Sequence, residues 1–483
     1  MLRPITIQAG FASALLSFLA LFAGQAAHAR GKPSAGAVQA WVSSSDGSQR
    51  LAQLDAIPLE RGPAAGLIIR VNPERQYQEI EGFGASITDA SAWLIQRRLN
   101  SSQRTALMSE LFNSRNGLGL GLIRTTIGAS DFSQTHYSYD DMPVGQTDPG
   151  LTNFSIAAAQ KELLPTIRQA LSINRSLRIF ASPWSPPAWM KSSGSMIKGK
   201  LTLENYDAYA RYLNRTLVKF KLEGVPVYAL TIQNEPNFEP DNYPGMLLTP
   251  AERSVFVGAH LGPLLSRNGS KVRVLDWDHN WDRPQEPLTV HSDPLAGKYL
   301  AGTAWHCYAG DVRAQSKVHD AFPDKETWLT ECSGGSWAPD WGGTLSWMTQ
   351  KLIIGSTRNW AKGVILWNLA LDEKSGPHLG GCDNCRGVVT IDQAAGTITR
   401  NVEYYVLGHA SRFVKRGARR IESDTEINGL ETVAFQNPGK RSIVLITLNT
   451  SKVPQIFSVV TGQQRFSTSL AAGSVITFMW SVK

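Results

Sequence analysis

The chain is 483 residues long, carries a formal charge of +8, and is 42% hydrophobic against 18% charged. That balance excludes a disordered chain and supplies a larger buried core than one small domain needs. The Lys and Arg residues are scattered, with only short pairs such as Arg97-Arg98 and Arg419-Arg420, so the charge reads as solvated surface and no nucleic-acid partner is expected.

The first residues, Met1-Leu2-Arg3, lead into an apolar run from Phe11 to Phe22 and then Ala27-His28-Ala29. A positive start, a short apolar stretch and a small-x-small site predict a secretory leader over residues 1–29. The run falls short of the roughly 20 apolar residues that a membrane span requires, and no later run is longer. The expectation is an exported protein with no stable membrane insertion. Oligomeric state leaves no mark in the sequence.

After the leader, short β-rich runs around Val38 to Val42 and Leu67 to Val71 place strands in a segment from 30 to 75. From 76 to 400 a different rhythm takes over. Apolar runs at Ile80 to Phe83, Leu120 to Arg124, Leu177 to Ser182, Val227 to Gln233, Val272 to Trp277, Gly302 to His306, Thr327 to Glu331 and Val364 to Trp367 alternate with helical patterns. Between the third and fourth runs, Tyr206, Tyr209, Leu213, Leu217 and Phe220 recur at three- and four-residue steps, and Gly224 ends the pattern. Helix, glycine, buried strand is the repeat of an eight-stranded (β/α)₈ barrel, an α/β fold. From 401 to 483 alternating stretches such as Ser442 to Leu448 and Gly473 to Trp480 follow a short helical segment, Glu403 to Phe413. They predict antiparallel strands, a side β-sandwich completed by the early strands.

Of the four cysteines, Cys382 and Cys385 sit among glycines and, in an exported chain, read as a local disulfide rather than half a zinc site. Cys307 and Cys332 suit either a second bridge or two buried thiols. The chain has no His-Glu-x-x-His signature, no Gly-x-Ser-x-Gly elbow and no phosphate loop, so the enzyme classes that these mark find little support and no metal is expected.

A barrel of this kind works at the C-terminal ends of its strands, so polar residues that close apolar runs are the ones to weigh. Glu235 follows the fourth run and Glu331 closes the seventh. Together they suggest the carboxylate pair of glycoside hydrolysis. Pro236 biases Glu235 toward an extended backbone, and Asn234 sets an amide beside it that can hold a sugar hydroxyl. Arg124, ending the second run, is a candidate donor that keeps Glu331 charged. Trp184, Trp189, Trp305 and Trp367, at strand ends among fourteen tryptophans, are candidate sugar platforms, Trp189 being the readiest to serve packing instead.

Several stretches carry a resemblance: Gly82-Phe-Gly-Ala-Ser-Ile-Thr-Asp-Ala, Ile123-Arg-Thr-Thr-Ile-Gly-Ala-Ser-Asp-Phe-Ser, Ala181-Ser-Pro-Trp-Ser-Pro-Pro-Ala-Trp-Met-Lys, Gln233-Asn-Glu-Pro, Thr330-Glu-Cys and Trp367-Asn-Leu-Ala-Leu. In this order they resemble glycoside hydrolase family 30, the family of the lysosomal acid glucosylceramidases, over nearly the whole mature chain. The resemblance implies a (β/α)₈ barrel with a side β-sandwich, no cofactor, and cleavage of a β-glycosidic bond with retention. It makes Glu235 the acid/base and Glu331 the nucleophile. Asp89 and Trp184 match positions that hold sugar hydroxyls and wall the pocket, Trp367 a floor aromatic, and His306 and Tyr308 the pair near the nucleophile. The expected partner is a carbohydrate or glycolipid substrate. A glucosylceramide-like glucoside comes first, a β-1,6-glucan second, and a binding protein without catalysis is a remote third. The loop Gly376-Pro-His-Leu-Gly-Gly-Cys-Asp-Asn-Cys-Arg departs from the glucosylceramidase pattern and puts ceramide in doubt.

Overall fold

The computed structural model describes residues 36–440 and 442–481. The leader read over residues 1–29 lies outside the described residues. Among these residues no helix is long and apolar enough to cross a membrane.

Eight parallel strands close into a barrel: β1 (Gly82–Ala85), β2 (Leu122–Ile127), β3 (Arg178–Pro183), β4 (Ala229–Thr231), β5 (Arg273–Asn280), β6 (Leu300–His306), β7 (Glu326–Glu331) and β8 (Ala361–Leu366). Each falls on one of the eight apolar runs. The strands are buried on both faces, as a barrel wrapped in helices demands. The interior is plugged by Leu122, Phe180, Leu275, Trp328 and Ile365, all fully buried. Trp328 fits because the wall beside it is bare: a Cβ on Gly363 would lie 2.4 Å from a Leu122 methyl and 3.1 Å from the Trp328 ring. Polar side chains above this plug therefore sit on a rigid floor.

The helix between β3 and β4 is Tyr206–Leu222, which buries Tyr206, Tyr209, Leu213, Leu217 and Phe220 and stops before Gly224, at φ +77°. β5 carries one residue too many for its neighbour. Trp277 pairs with Ala304 and His279 with Trp305, leaving Asp278 unpaired in a bulge, with Trp277 and Asp278 both at positive φ. Bulges re-aim side chains, and this one turns Asp278 into the barrel mouth. β7 shows a similar shift, with Thr330 passed over between Leu329 and Glu331.

The β-sandwich is built from both ends of the chain. Ala37–Ser43 pairs antiparallel with Val475–Trp480, and Leu67–Ile80 pairs with Ala418–Ser423. Leu67–Ile80 then hands directly to β1. One pairing departs from the expected antiparallel pattern: Gln455–Thr461 runs parallel to the start of Leu67–Ile80, Phe457 opposite Leu67. The reason is topological, because the long strand comes from the far N-terminal segment and no hairpin joins it to its neighbour. A separate apolar cluster that includes Ile69, Phe457, Phe466 and Phe478 fills the sandwich.

Both disulfides form. Cys307–Cys332 joins the loop after β6 to the loop after β7, deciding between the two states left open for that pair. Cys382–Cys385 pins the glycine-rich loop after β8.

Candidate active site

The polar layer above the plug centres on Arg124 from the middle of β2. Its Nη1 donates to Glu331 Oε2 at 2.6 Å, while Nη2 donates to Asp278 Oδ2 at 2.8 Å and Asn234 Oδ1 at 2.7 Å. Arg124 and Asp278 are fully buried. The guanidinium also lies over Trp184, 4.8 Å from the ring centre, and Trp367, at 5.4 Å. Asp278 accepts further bonds from Ser182, Thr231 and Thr330 at 2.6–2.9 Å, and His306 Nε2 lies 3.1 Å away. Burial works against its charge, yet Arg124 and His306 hold this carboxyl well below the usual carboxylate range. A charged network this deep is tolerable only when every member is partnered.

The two glutamates face each other across this layer. Glu331 also accepts from Tyr308 Oη at 2.9 Å. Glu235 Oε1 lies 3.1 Å from His306 Nδ1 and 3.3 Å from His279 Nε2, and His279 Nδ1 is bound by Asn237. One carboxylate oxygen of each glutamate and a ring nitrogen of His306 lie within 4.8 Å of one another. The expectation of an extended backbone at Glu235 is corrected: its φ is +48°. Its amide donates to the Asp278 carbonyl at 3.1 Å and its carbonyl accepts from Phe238, so a turn anchored on the bulge outweighs the proline's local bias.

Burial raises both carboxyls, but the balance differs. At Glu235 the histidines His279 and His306 overcome burial and bring the pKa below the usual range. At Glu331 burial, reinforced by Glu235 and Asp278, outweighs His306 and Arg124, and the pKa stands above it. Two carboxyls this close titrate as a coupled pair. Burial opposes charge on His306, yet Glu331, Asp278 and Glu235 around it push it up to about 9. Glu235, His306 and Glu331 could in number ligate a cation, but both ring nitrogens of His306 face carboxylates of Glu235 and Asp278, and Glu331 accepts from Arg124 and Tyr308.

A cavity of about 550 Å³ opens over the pair, lined by Asp131, Glu235, Tyr243, Tyr308, Glu331, Trp337, Trp367 and the Cys382–Cys385 loop. Its size suits a small organic ligand. The network thus gathers Arg124, Asn234, Glu235, His306, Tyr308, Glu331 and Trp367. Asp89 is not among the lining residues. It sits in the first turn of helix Asp89–Arg97, its Oδ2 accepting from Ser133 at 2.6 Å and Tyr137 at 2.9 Å. The carboxyl that does reach the cavity from that side is Asp131, whose Oδ1 is buried with no partner. Burial, with Glu331 and Glu235 nearby, pushes it up to about 8, so at neutral pH it can donate as well as accept. Trp184 stands behind the wall, stacked on Trp367 at 5.1 Å. Trp189 bonds Asp140 and Trp305 is fully buried, so both serve packing.

Asp131, Asp278 and His279 went unread in the sequence. Each lies just after or within a strand end, and extending the strand-end search two residues past Trp277 and into the loop after β2 would have reached them.

The family model for the glycosyl hydrolase family 30 TIM-barrel domain matches residues 80–414, and that for the family 30 β-sandwich domain matches 417–478. The chain belongs to glycoside hydrolase family 30. Family 30 relatives include an endo-1,6-β-D-glucanase of Neurospora crassa, 35% identical over 85% of this chain and 88% of that protein. The lysosomal acid glucosylceramidase of Mus musculus is 30% identical over 93% of this chain and 90% of the relative. Among solved family 30 folds, an endo-β1,6-glucanase superposes with a TM-score of 0.87 at 32% identity, covering 93% of this chain and all of that one. Membership makes the chain a glycosidase acting on carbohydrate or glycolipid.

Proposed function

We propose that this enzyme cleaves β-1,6-glucan with retention, Glu331 acting as nucleophile and Glu235 as acid/base. One observation carries the retaining reading: carboxylate oxygens of the two residues lie within 4.8 Å of each other. Retaining enzymes keep the carboxyls ~5–5.5 Å apart, whereas inverting enzymes leave ~6.5–9.5 Å for a water.

Glu331, held by Arg124 and Tyr308, attacks the anomeric carbon. Glu235 gives its proton to the departing oxygen, and then takes one from the water that releases the sugar. The working arrangement needs the proton on Glu235 and the charge on Glu331, whose carboxylate accepts from Arg124 and Tyr308. Asn234, its carbonyl already taken by Arg124, offers its amide nitrogen to a sugar hydroxyl, and Asp131, which lines the cavity, offers its carboxyl to another.

The glucan is supported over a ceramide glucoside by the relatives: three endo-1,6-β-glucanases at 31–35% identity stand above the mouse glucosylceramidase at 30%. This reverses the order that the sequence suggested. A leader over residues 1–29, cut after Ala29, would bring the enzyme to such a polymer outside the cell.

The test is side-by-side turnover of β-1,6-glucan and glucosylceramide, with the anomer of the first product read by NMR. Glucan turnover giving the β-anomer is expected, and Glu331→Gln should reduce it at least ~10³-fold. Preference for the lipid, an α-anomer, or unimpaired Glu331→Gln would each overturn its part of the reading.

A further inference from the structure

Tyr308 and Trp337 line the cavity over the carboxylates and also a second cavity of about 430 Å³ beside it. The second cavity continues along Ser333, Thr344 and Met348 to Trp347. Two of its aromatic rings are far more exposed than packing would leave them, Trp337 at 53% and Trp347 at 42%. Trp347 stands on the helix Trp341–Met348, which meets the core through Leu345 and Met348, so the fold gains little from it. Trp337 is fixed in place: its ring lies so close over Gly335 that a Cβ there would fall 1.9 Å from it. Thr344 ties the intervening loop to the helix by donating to the Ala338 carbonyl at 3.0 Å.

Resting on the glucan reading above, we infer that this second cavity is a distal sugar-binding site, which takes a β-linked glucosyl unit away from the bond being cut and stacks it on Trp347, with Trp337 between the two sites. A flat indole covers the apolar face of a pyranose with little loss of rotamer freedom, and rings left open to water suit a ligand that keeps its hydroxyls solvated. An acyl chain would be served by an enclosed sleeve instead. Continuity supplies the remaining argument, because a chain held at Trp367 and Glu331 has Tyr308 and Trp337 as its next surfaces.

The experiment compares kcat/KM on β-1,6-glucan with kcat/KM on an aryl β-glucoside for the unaltered enzyme, Trp347→Ala and Trp347→Phe, with thermal unfolding of each to establish folding. The ratio of polymer to aryl glucoside should fall roughly 3- to 10-fold in Trp347→Ala, the size of one lost ring contact, and be largely restored in Trp347→Phe. An unchanged ratio overturns the site while leaving the glucan reading intact. A loss confined to a glucoside with a long acyl tail overturns it in favour of lipid. If the unaltered enzyme does not cleave the glucan at all, the reading of the first site has failed and this one falls with it.

Discussion

His306 is the side chain whose charge reaches both glutamates, at 3.1 Å from Glu235 and 3.7 Å from Glu331. A cation beside a carboxylate favours the ionised form and lowers its pKa, so its removal raises it. His306→Gln should therefore move both limbs of the bell-shaped kcat/KM profile to higher pH: the acid limb, where the pair first loses a proton, and the alkaline limb, where it loses the second. A profile unmoved on its acid side would show that His306 does not govern the pair. At this scale the sequence was only half legible. Glu235 and Glu331, which the structure brings together, drew notice because acids at the ends of apolar runs are expensive unless partnered. Asp278 could not be placed, because its role depends on a bulge in β5 that a run of residues does not announce. Asp131 went unread for a related reason: that it lines the cavity, while Asp89 Oδ2 accepts from Ser133 and Tyr137, is a matter of three-dimensional contact.

Among the elements, the cross-link from Cys307 to Cys332 closes a loop of 25 residues between neighbouring strands, and on either side of it stand His306, Tyr308 and Glu331. Closing a loop of that length is worth about 3 kcal/mol against the unfolded chain. The double substitution Cys307→Ser with Cys332→Ser should lower unfolding stability in urea by about that much, and should lower kcat more than it raises KM, since it loosens the Tyr308 contact to Glu331. A loss of stability with kcat untouched would mean that the strands alone fix that contact. The barrel strands were legible from sequence because each is buried on both faces and reads as an unbroken apolar run. The parallel pairing of Gln455–Thr461 with the start of Leu67–Ile80 was not, since an alternating strand shows which face is buried but not which neighbour lies beside it.

Across the whole molecule, barrel and sandwich are stitched rather than merely adjacent. His409, on the helix Val402–Ser411, lies 2.8 Å from Ser43 and 2.9 Å from Thr477, and Trp41 packs on Phe413 with ring centres 4.4 Å apart. Arg358, beside β8, donates to the carbonyls of Ser423 and Thr432 across the junction. Calorimetry should therefore show barrel and sandwich melting in a single cooperative transition, whereas two resolved transitions would mean that this seam is weak.

The sandwich sets Ala37–Ser43, its earliest strand in the chain, directly against Val475–Trp480, its latest. During synthesis the first of these can be met on one edge by Ala52–Gln53 and Ile57–Pro58, but its other edge stays unmet until almost every other residue has been added. For that whole interval a sticky ribbon needs shielding, whether by a chaperone or by being kept unfolded. The barrel can be assembled from its own sequential neighbours, but the finished enzyme must wait for its two ends to find each other.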